Sequence, residues 1–234
     1  MHETKEFRTK IQLISEIKNC VISPSYFIKK YVKIQHPLKG LIPFATFQYQ
    51  DDLLEGFVKN RFNIVLKARQ VGITSLMGAF IAWFILFHGN KNVLVVSTKQ
   101  ETAKNVIRAV KVAFTNLPKW LSISKISTNN KQSIELDNGS RVKATTTASD
   151  VGRSEALSLL IVDEAAHIRT LEENWIGLWP TLSLGGRAIL SSTPNGAGGL
   201  YHKLYQESQL GENTFNCKFG KYINPNNQDE VYDD

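Results

Sequence analysis

Cysteine is scarce: the 234 residues contain two, Cys20 and Cys217. They lie far apart without metal-ligand spacing. That excludes a disulfide framework or Cys-based zinc site and reads as the reduced thiols of an intracellular protein. A membrane-length apolar run is also missing. The longest stretch, Leu76 to Phe87, is interrupted by Gly78 and is too short to cross a bilayer, so no membrane partner is expected. The chain opens without a basic-then-apolar leader, so secretion is not expected and the cytoplasm is the expected location. Acidic residues are too few to balance basic ones: 28 Lys and Arg face 21 Asp and Glu, a net charge of +7. The surplus fits a polyanionic partner, either nucleotide or nucleic acid. Part of it sits in the first fifty residues, where eight Lys/Arg meet three Glu, and a plain solvated face accounts for that equally well.

What is present reads as an alternation of strands and helices. Pro24, Pro37, Pro43 and Gly40 suggest that residues 21–46 are an extended lead-in rather than a packed layer, giving an N-terminal segment over 1–46 and one domain over 47–234. Leu53, Leu54, Phe57 and Val58 follow at helical spacing, then the β-branched stretch Phe62–Leu66, a loop, and the apolar helix from Leu76. Asn92–Ser97 reads as a strand and residues 99–116 as a helix with Ala103, Val106, Ile107, Val110 and Phe114 on one face. Ile134–Leu136 and Arg141–Ala144, joined through Asn138-Gly139, form an expected antiparallel hairpin. Leu157–Val162, Ala188–Ser192 and Phe215–Phe219 complete the strands, with helices near 172–179 and 200–210. The fold class is α/β, with a mainly parallel central sheet flanked by helices and a hairpin insertion.

The loop between the first of these strands and its helix is Lys67-Ala68-Arg69-Gln70-Val71-Gly72-Ile73-Thr74. Strand, tight loop and helix N-terminus present backbone N–H groups and a positive dipole end to phosphate. Against the pattern G-x-x-x-x-G-K-[ST], Gly72 and Thr74 hold their places, but Ile73 replaces the lysine and Lys67 stands where the first glycine would be. A four-carbon stem rooted at the loop's start can still carry an ammonium to the same phosphates.

Asp163-Glu164 ends the apolar strand, at the edge where parallel sheets bind ligands. Such an Asp can hold Mg²⁺ beside the Thr74 hydroxyl, and the Glu can polarise a water for attack on a γ-phosphate. Ser191-Ser192-Thr193-Pro194-Asn195-Gly196 is a second polar strand end whose small hydroxyls and Pro-Asn-Gly place a rigid turn at the same edge, suited to sensing the phosphate. Arg153, in a glycine-containing loop, is a candidate arginine finger acting from a neighbouring subunit; a surface pairing with Glu155 is the plainer reading. Arg69 competes for that role within its own subunit, or simply braces the loop. Tyr49 and Gln50 can pack on and read an adenine.

In this order and spacing the residues resemble the ATPase domain of the large terminase subunit, the DNA-packaging motor of tailed bacteriophages. The resemblance runs from about Pro43 to Tyr222 and includes Ser133–Ser140 and Gly152-Arg153-Ser154. It implies a P-loop NTPase of the ASCE type that hydrolyses ATP. Lys67 would be the phosphate lysine in a lysine-shifted variant of the loop. Thr74 and Asp163 would hold Mg²⁺, Glu164 would be the catalytic carboxylate, and Gln50 would contact adenine. Arg153 would act across a ring interface, and Ser192 to Gly196 would couple hydrolysis to DNA movement. It further implies double-stranded DNA, a prohead portal protein and a small terminase subunit as partners, a pentameric ring, and a location in the host cytoplasm with transient residence at the portal. No sequence after Asp234 remains for an RNase H-type nuclease domain, so the chain reads as a fragment and no nuclease activity is expected of it. Two alternatives stay open: a helicase-like DNA translocase, and a nucleotide-binding module without hydrolysis.

Overall fold

The protein is described from a computed structural model, over residues 2–146 and 155–219. Two helices come first, α1 (His2–Ile22) and α2 (Pro24–Tyr31), then a small hairpin of β1 (Lys33–His36) and β2 (Gly40–Pro43). The expectation of an unpacked lead-in over 21–46 fails here. Ser23 caps α2 by accepting from the Tyr26 N–H at 3.1 Å, and Pro24 occupies the first helical turn. Proline there loses no helical hydrogen bond and has φ already set, so it starts a helix rather than preventing one. Phe27 and Ile28 are completely buried, and Phe27 meets Phe87 edge-on at 5.2 Å. Each such side chain contributes about 1.5–3 kcal/mol of burial. Glu16 of α1 fastens this layer by accepting from Tyr26 (2.7 Å), Lys30 (2.8 Å) and Tyr31 (2.5 Å).

The remaining elements in chain order are α3 (Gln48–Lys59), β3 (Phe62–Leu66), α4 (Ile73–Phe87), β4 (Asn92–Ser97), α5 (Gln100–Thr115), β5 (Ile126–Asn129), β6 (Ser133–Leu136), β7 (Arg141–Thr145), β8 (Leu159–Asp163), α6 (Leu171–Leu178), β9 (Arg187–Ser192), α7 (Gly199–Leu210) and β10 (Phe215–Phe219). Eight strands form one sheet in the order β10-β3-β9-β8-β4-β7-β6-β5. The run from β10 to β7 is parallel, while β6 and β5 add antiparallel strands at one edge. The expected hairpin is β6–β7, with Gly139 at φ +79° in its turn, and β7 also pairs in parallel with β4. It is therefore built into the sheet rather than appended to it.

Both faces of the sheet are covered. Val65, Val95, Ile161 and Ile189 pack beneath α4 and α5, while Ile64, Leu94, Leu160 and Leu190 face the side of α6 and α7. Alternation of side chains along each strand produces this division. The central strands are buried on both faces, which is why they read as continuous apolar runs. Helix α4 is buried along nearly its whole length, because α2 and α5 cover what the sheet does not. No helix among the described residues is long and apolar enough to cross a membrane.

Candidate active site

Strands β3, β9 and β8 are neighbours, and register aligns Leu66 with Ser192 and Ser191 with Asp163. Their carboxyl ends therefore bring Lys67, Asp163-Glu164 and Ser192-Thr193 to one edge, although they lie up to 126 residues apart (193 less 67) in sequence. The Lys67 N–H donates to the Ser192 carbonyl at 2.9 Å, carrying the β3–β9 ladder one residue past the strand end.

Lys67 Nζ lies 2.7 Å from Glu164 Oε1 and 3.9 Å from Asp163 Oδ1, and its side chain is only 7% exposed. One ammonium thus sits between two carboxylates, in a place where none of the three is freely hydrated. Burial pushes the Asp163 carboxyl above its usual range despite Lys67 and the hydrogen bond from Ser191 Oγ (2.9 Å). Burial also opposes the charge on Glu164, but there the bond and charge of Lys67, with the Thr193 bonds, prevail and hold its carboxyl low. Glu164 has φ +54° and ψ +44°, a left-handed conformation that costs a β-carbon residue about 1–2 kcal/mol. Strain of that kind persists where surrounding contacts over-determine it. Here the contacts are Lys67 on one carboxylate oxygen, and the Thr193 N–H (3.3 Å) and Oγ1 (3.1 Å) donating to the other.

The exit of β9 is stitched to the turn after β8. The Ala166 N–H donates to Ser192 Oγ at 3.1 Å, and Asn195 Nδ2 donates to the Ala166 carbonyl at 2.9 Å. His167 Nε2 meets Thr193 Oγ1 at 3.0 Å. Because the single Thr193 hydroxyl proton points to an ionised carboxylate, His167 must be the donor in that contact, which assigns its proton to Nε2. Pro194 and Gly196 lie in the same turn; Gly196 has φ +72°.

The loop from Lys67 to α4 bends through Gln70 (φ +61°) and Gly72 (φ +73°), and Ile73 opens the helix. Ile73 is 2% exposed and belongs to the core under α4, so the place of the usual lysine is filled by an apolar contact. Thr74 is partly exposed in the first turn of α4, where the leading N–H groups have no helical partner. Ala68 and Val71 are half-buried and Arg69 is exposed. Gln50 is almost fully buried and braces the loop: its Oε1 accepts from the Phe47 N–H (3.1 Å) and its Nε2 donates to the Val71 carbonyl (3.3 Å). Tyr49 OH donates to the same carbonyl at 2.6 Å, and its ring stacks on Phe47 at 5.7 Å. Burial pushes the Tyr49 phenol up to about 12, so it stays a donor. Arg153 lies outside the described residues; Glu155, its expected surface partner, pairs with Arg141.

Neither His167 nor Ser97 stands out as a site residue in the sequence. Asp163-Glu164-Ala165-Ala166-His167 places a histidine three residues beyond the carboxylate, and that spacing was the only available signal for His167.

The sequence pattern of the family described as "Terminase large subunit, T4likevirus-type, N-terminal" matches residues 64–208, more than half of the chain and all of the strand ends just described. This chain belongs to that large terminase family. Similar folds occur in the large terminase ATPase domain of Thermus phage P74-26, at 17% identity and TM-score 0.60 over 69% of this chain and 70% of that one. The large terminase of bacteriophage HK97 aligns at 15% identity and TM-score 0.71, over 88% of this chain and 44% of that one. A large terminase from a thermophilic bacteriophage, solved with ADP, aligns at 11% identity and TM-score 0.57 over 74% of this chain and 45% of that one. This terminase chain thus spans under half the length of the latter two. The expected architecture, α/β with a mostly parallel sheet and an antiparallel hairpin, is the one observed, and its fold is similar to that of these domains.

Proposed function

We propose that this terminase domain hydrolyses ATP and that the hydrolysis drives double-stranded DNA into a prohead. The supporting observation is the convergence of Lys67, Asp163, Glu164 and Thr193 on one sheet edge beside the α4 N-terminus. Lys67 is the cation for the β- and γ-phosphates, and the N–H groups of the loop and of the first turn of α4 receive the phosphate oxygens. Glu164, held low and bonded at both oxygens, is the base that orients water for in-line attack. Tyr49 and Gln50 fix the loop from behind, and the adenine is read from their side.

The donor set suits Mg²⁺. Among the described residues no cluster of three or more His, Cys, Asp or Glu could cage a metal ion. One carboxylate, one hydroxyl and substrate phosphates, with retained waters, are how Mg²⁺ is commonly held. Asp163 and Thr74 would hold it, and when bound it would neutralise charge on the phosphates.

The bonds from Ser192, Thr193 and Asn195 to the Glu164–His167 turn support Ser192 to Gly196 as the coupling segment, since displacement of Glu164 pulls on both. The chain's net charge of +7 suits a DNA partner. Portal protein, small terminase subunit and a pentameric ring complete the proposal, with Arg153 acting across the ring interface and Arg69 as the rival within one subunit. The test is phosphate release from ATP across a range of protein concentrations, with Mg²⁺ or EDTA, for the wild type and Arg153→Ala. Mg²⁺-dependent release that rises in specific activity with concentration, and is lost in Arg153→Ala, is expected. No Mg²⁺-dependent release at any concentration overturns the proposal.

A further inference from the structure

Three polar residues stand level across neighbouring strands on the face beneath α4 and α5: Ser191 of β9, Asp163 of β8 and Ser97 of β4. Ser191 is accounted for, because its hydroxyl donates to Asp163. Ser97 is not. It is completely buried, and among the described residues its Oγ is the only buried side-chain nitrogen or oxygen without a hydrogen-bond partner. Buried hydroxyls are nearly always bonded, so an orphan beside a functional carboxylate calls for an explanation. Among the described residues, the contacts that reach Asp163, from Ser191, the Glu164 N–H and Lys67, all fall on Oδ1. An unused donor therefore stands one strand, about 4.8 Å, from a carboxylate whose Oδ2 takes none of these contacts. They make no direct bond, and that separation suits a small hydrogen-bonding molecule between them.

We propose that Ser97 is a positioning residue of the nucleotide site, its hydroxyl holding a water of the hydration shell of the divalent cation that Asp163 anchors. The inference rests on the reading of Asp163 as cation holder. Mg²⁺ dehydrates reluctantly and keeps several waters, and groups that orient a metal's surroundings set its affinity. The position supports the role: β4 borders β8 on the side away from Lys67, so Ser97 flanks Asp163 opposite Ser191.

A merely structural hydroxyl and a water-holding one predict different results for Ser97→Ala. With no bond in the fold to lose, the metal-free variant should unfold at the wild-type temperature or above. Binding of ATPγS to the full chain, followed by calorimetry against rising Mg²⁺, should need about five- to tenfold more Mg²⁺ than the wild type. Binding in EDTA should be unchanged. An unaltered Mg²⁺ requirement, an equal loss in EDTA, or a lowered unfolding temperature each overturns the inference. Asp163→Asn separates it from the reading beneath it. If that variant keeps the wild-type Mg²⁺ requirement, the cation assignment itself fails. If it raises the requirement and Ser97→Ala does not, only the role of Ser97 falls.

Discussion

Lys67→Ala should destabilise the terminase domain as well as remove its proposed phosphate ligand, and the size of the loss follows from the contacts. The ammonium is 7% exposed, 2.7 Å from Glu164 and 3.9 Å from Asp163. At an effective dielectric near 20, a unit pair at the shorter distance is worth about 6 kcal/mol of attraction, part of which is offset by desolvating the lysine. Breaking a buried pair by removing one partner typically costs about 3–5 kcal/mol. The Glu164 side chain is 25% exposed and keeps its bonds from Thr193, which places the expected loss near the low end, about 3 kcal/mol. In the variant a proton on Asp163 can replace the lost charge. Burial already raises the folded-state proton affinity of Asp163 above the unfolded one, and loss of Lys67 raises it further, so the deficit should shrink as pH falls. Urea unfolding followed by tryptophan fluorescence measures the loss. A double-mutant cycle with Glu164→Gln measures the coupling, expected at about 2 kcal/mol. Additivity within about 0.5 kcal/mol would refute the argument, because it would mean that the two side chains do not meet in solution.

Three further outcomes are expected. His167→Ala removes the donor that orients Thr193 Oγ1 towards Glu164, and should lower kcat about tenfold with KM for ATP unchanged; steady-state kinetics showing the reverse split would contradict it. Gly78→Ala would set a β-carbon 2.4 Å from Ala109 Cβ in the α4–α5 contact. Overpacking of about 1–3 kcal/mol outweighs the roughly 1 kcal/mol gain in helix propensity, so denaturant unfolding should show net destabilisation. Glu16 is held down to about 2, first by the Lys30 hydrogen bond, from an ordinary 4.5. The stability that it lends to α1 should be complete above about pH 4.5 and lost as pH falls towards 2, seen as amide protection factors in residues 10–22 that fall with acid in the wild type but not in Glu16→Gln.

The strands that build the site are legible because each is a short β-branched apolar run, and the site residues are the polar ones that end those runs: Lys67 after Leu66, Asp163-Glu164 after Val162, Ser191-Ser192-Thr193 after Leu190. Their spatial order was not legible. That β9 lies between β3 and β8 is a matter of non-local parallel pairing, and no local pattern encodes it. Ser97 is hidden in the same way, an ordinary serine at a strand end until register sets it beside Asp163, opposite Ser191. The expectation of an unpacked lead-in fails at α2 for a local reason: proline breaks a helix interior, but Ser23-Pro24 is a helix start. Strand β5, with two exposed Thr/Asn positions and a register shift against β6, carries too little alternation to announce itself.

In the proposed motor Glu164 performs the chemistry while other groups hold the nucleotide. The direct measurement is ATP turnover and ATP binding, in Mg²⁺, of Glu164→Gln beside the wild type. The side chain keeps its size and can still accept from Thr193, so binding should persist while phosphate release falls to background. Turnover at the wild-type rate would remove Glu164 from the mechanism and contradict the account.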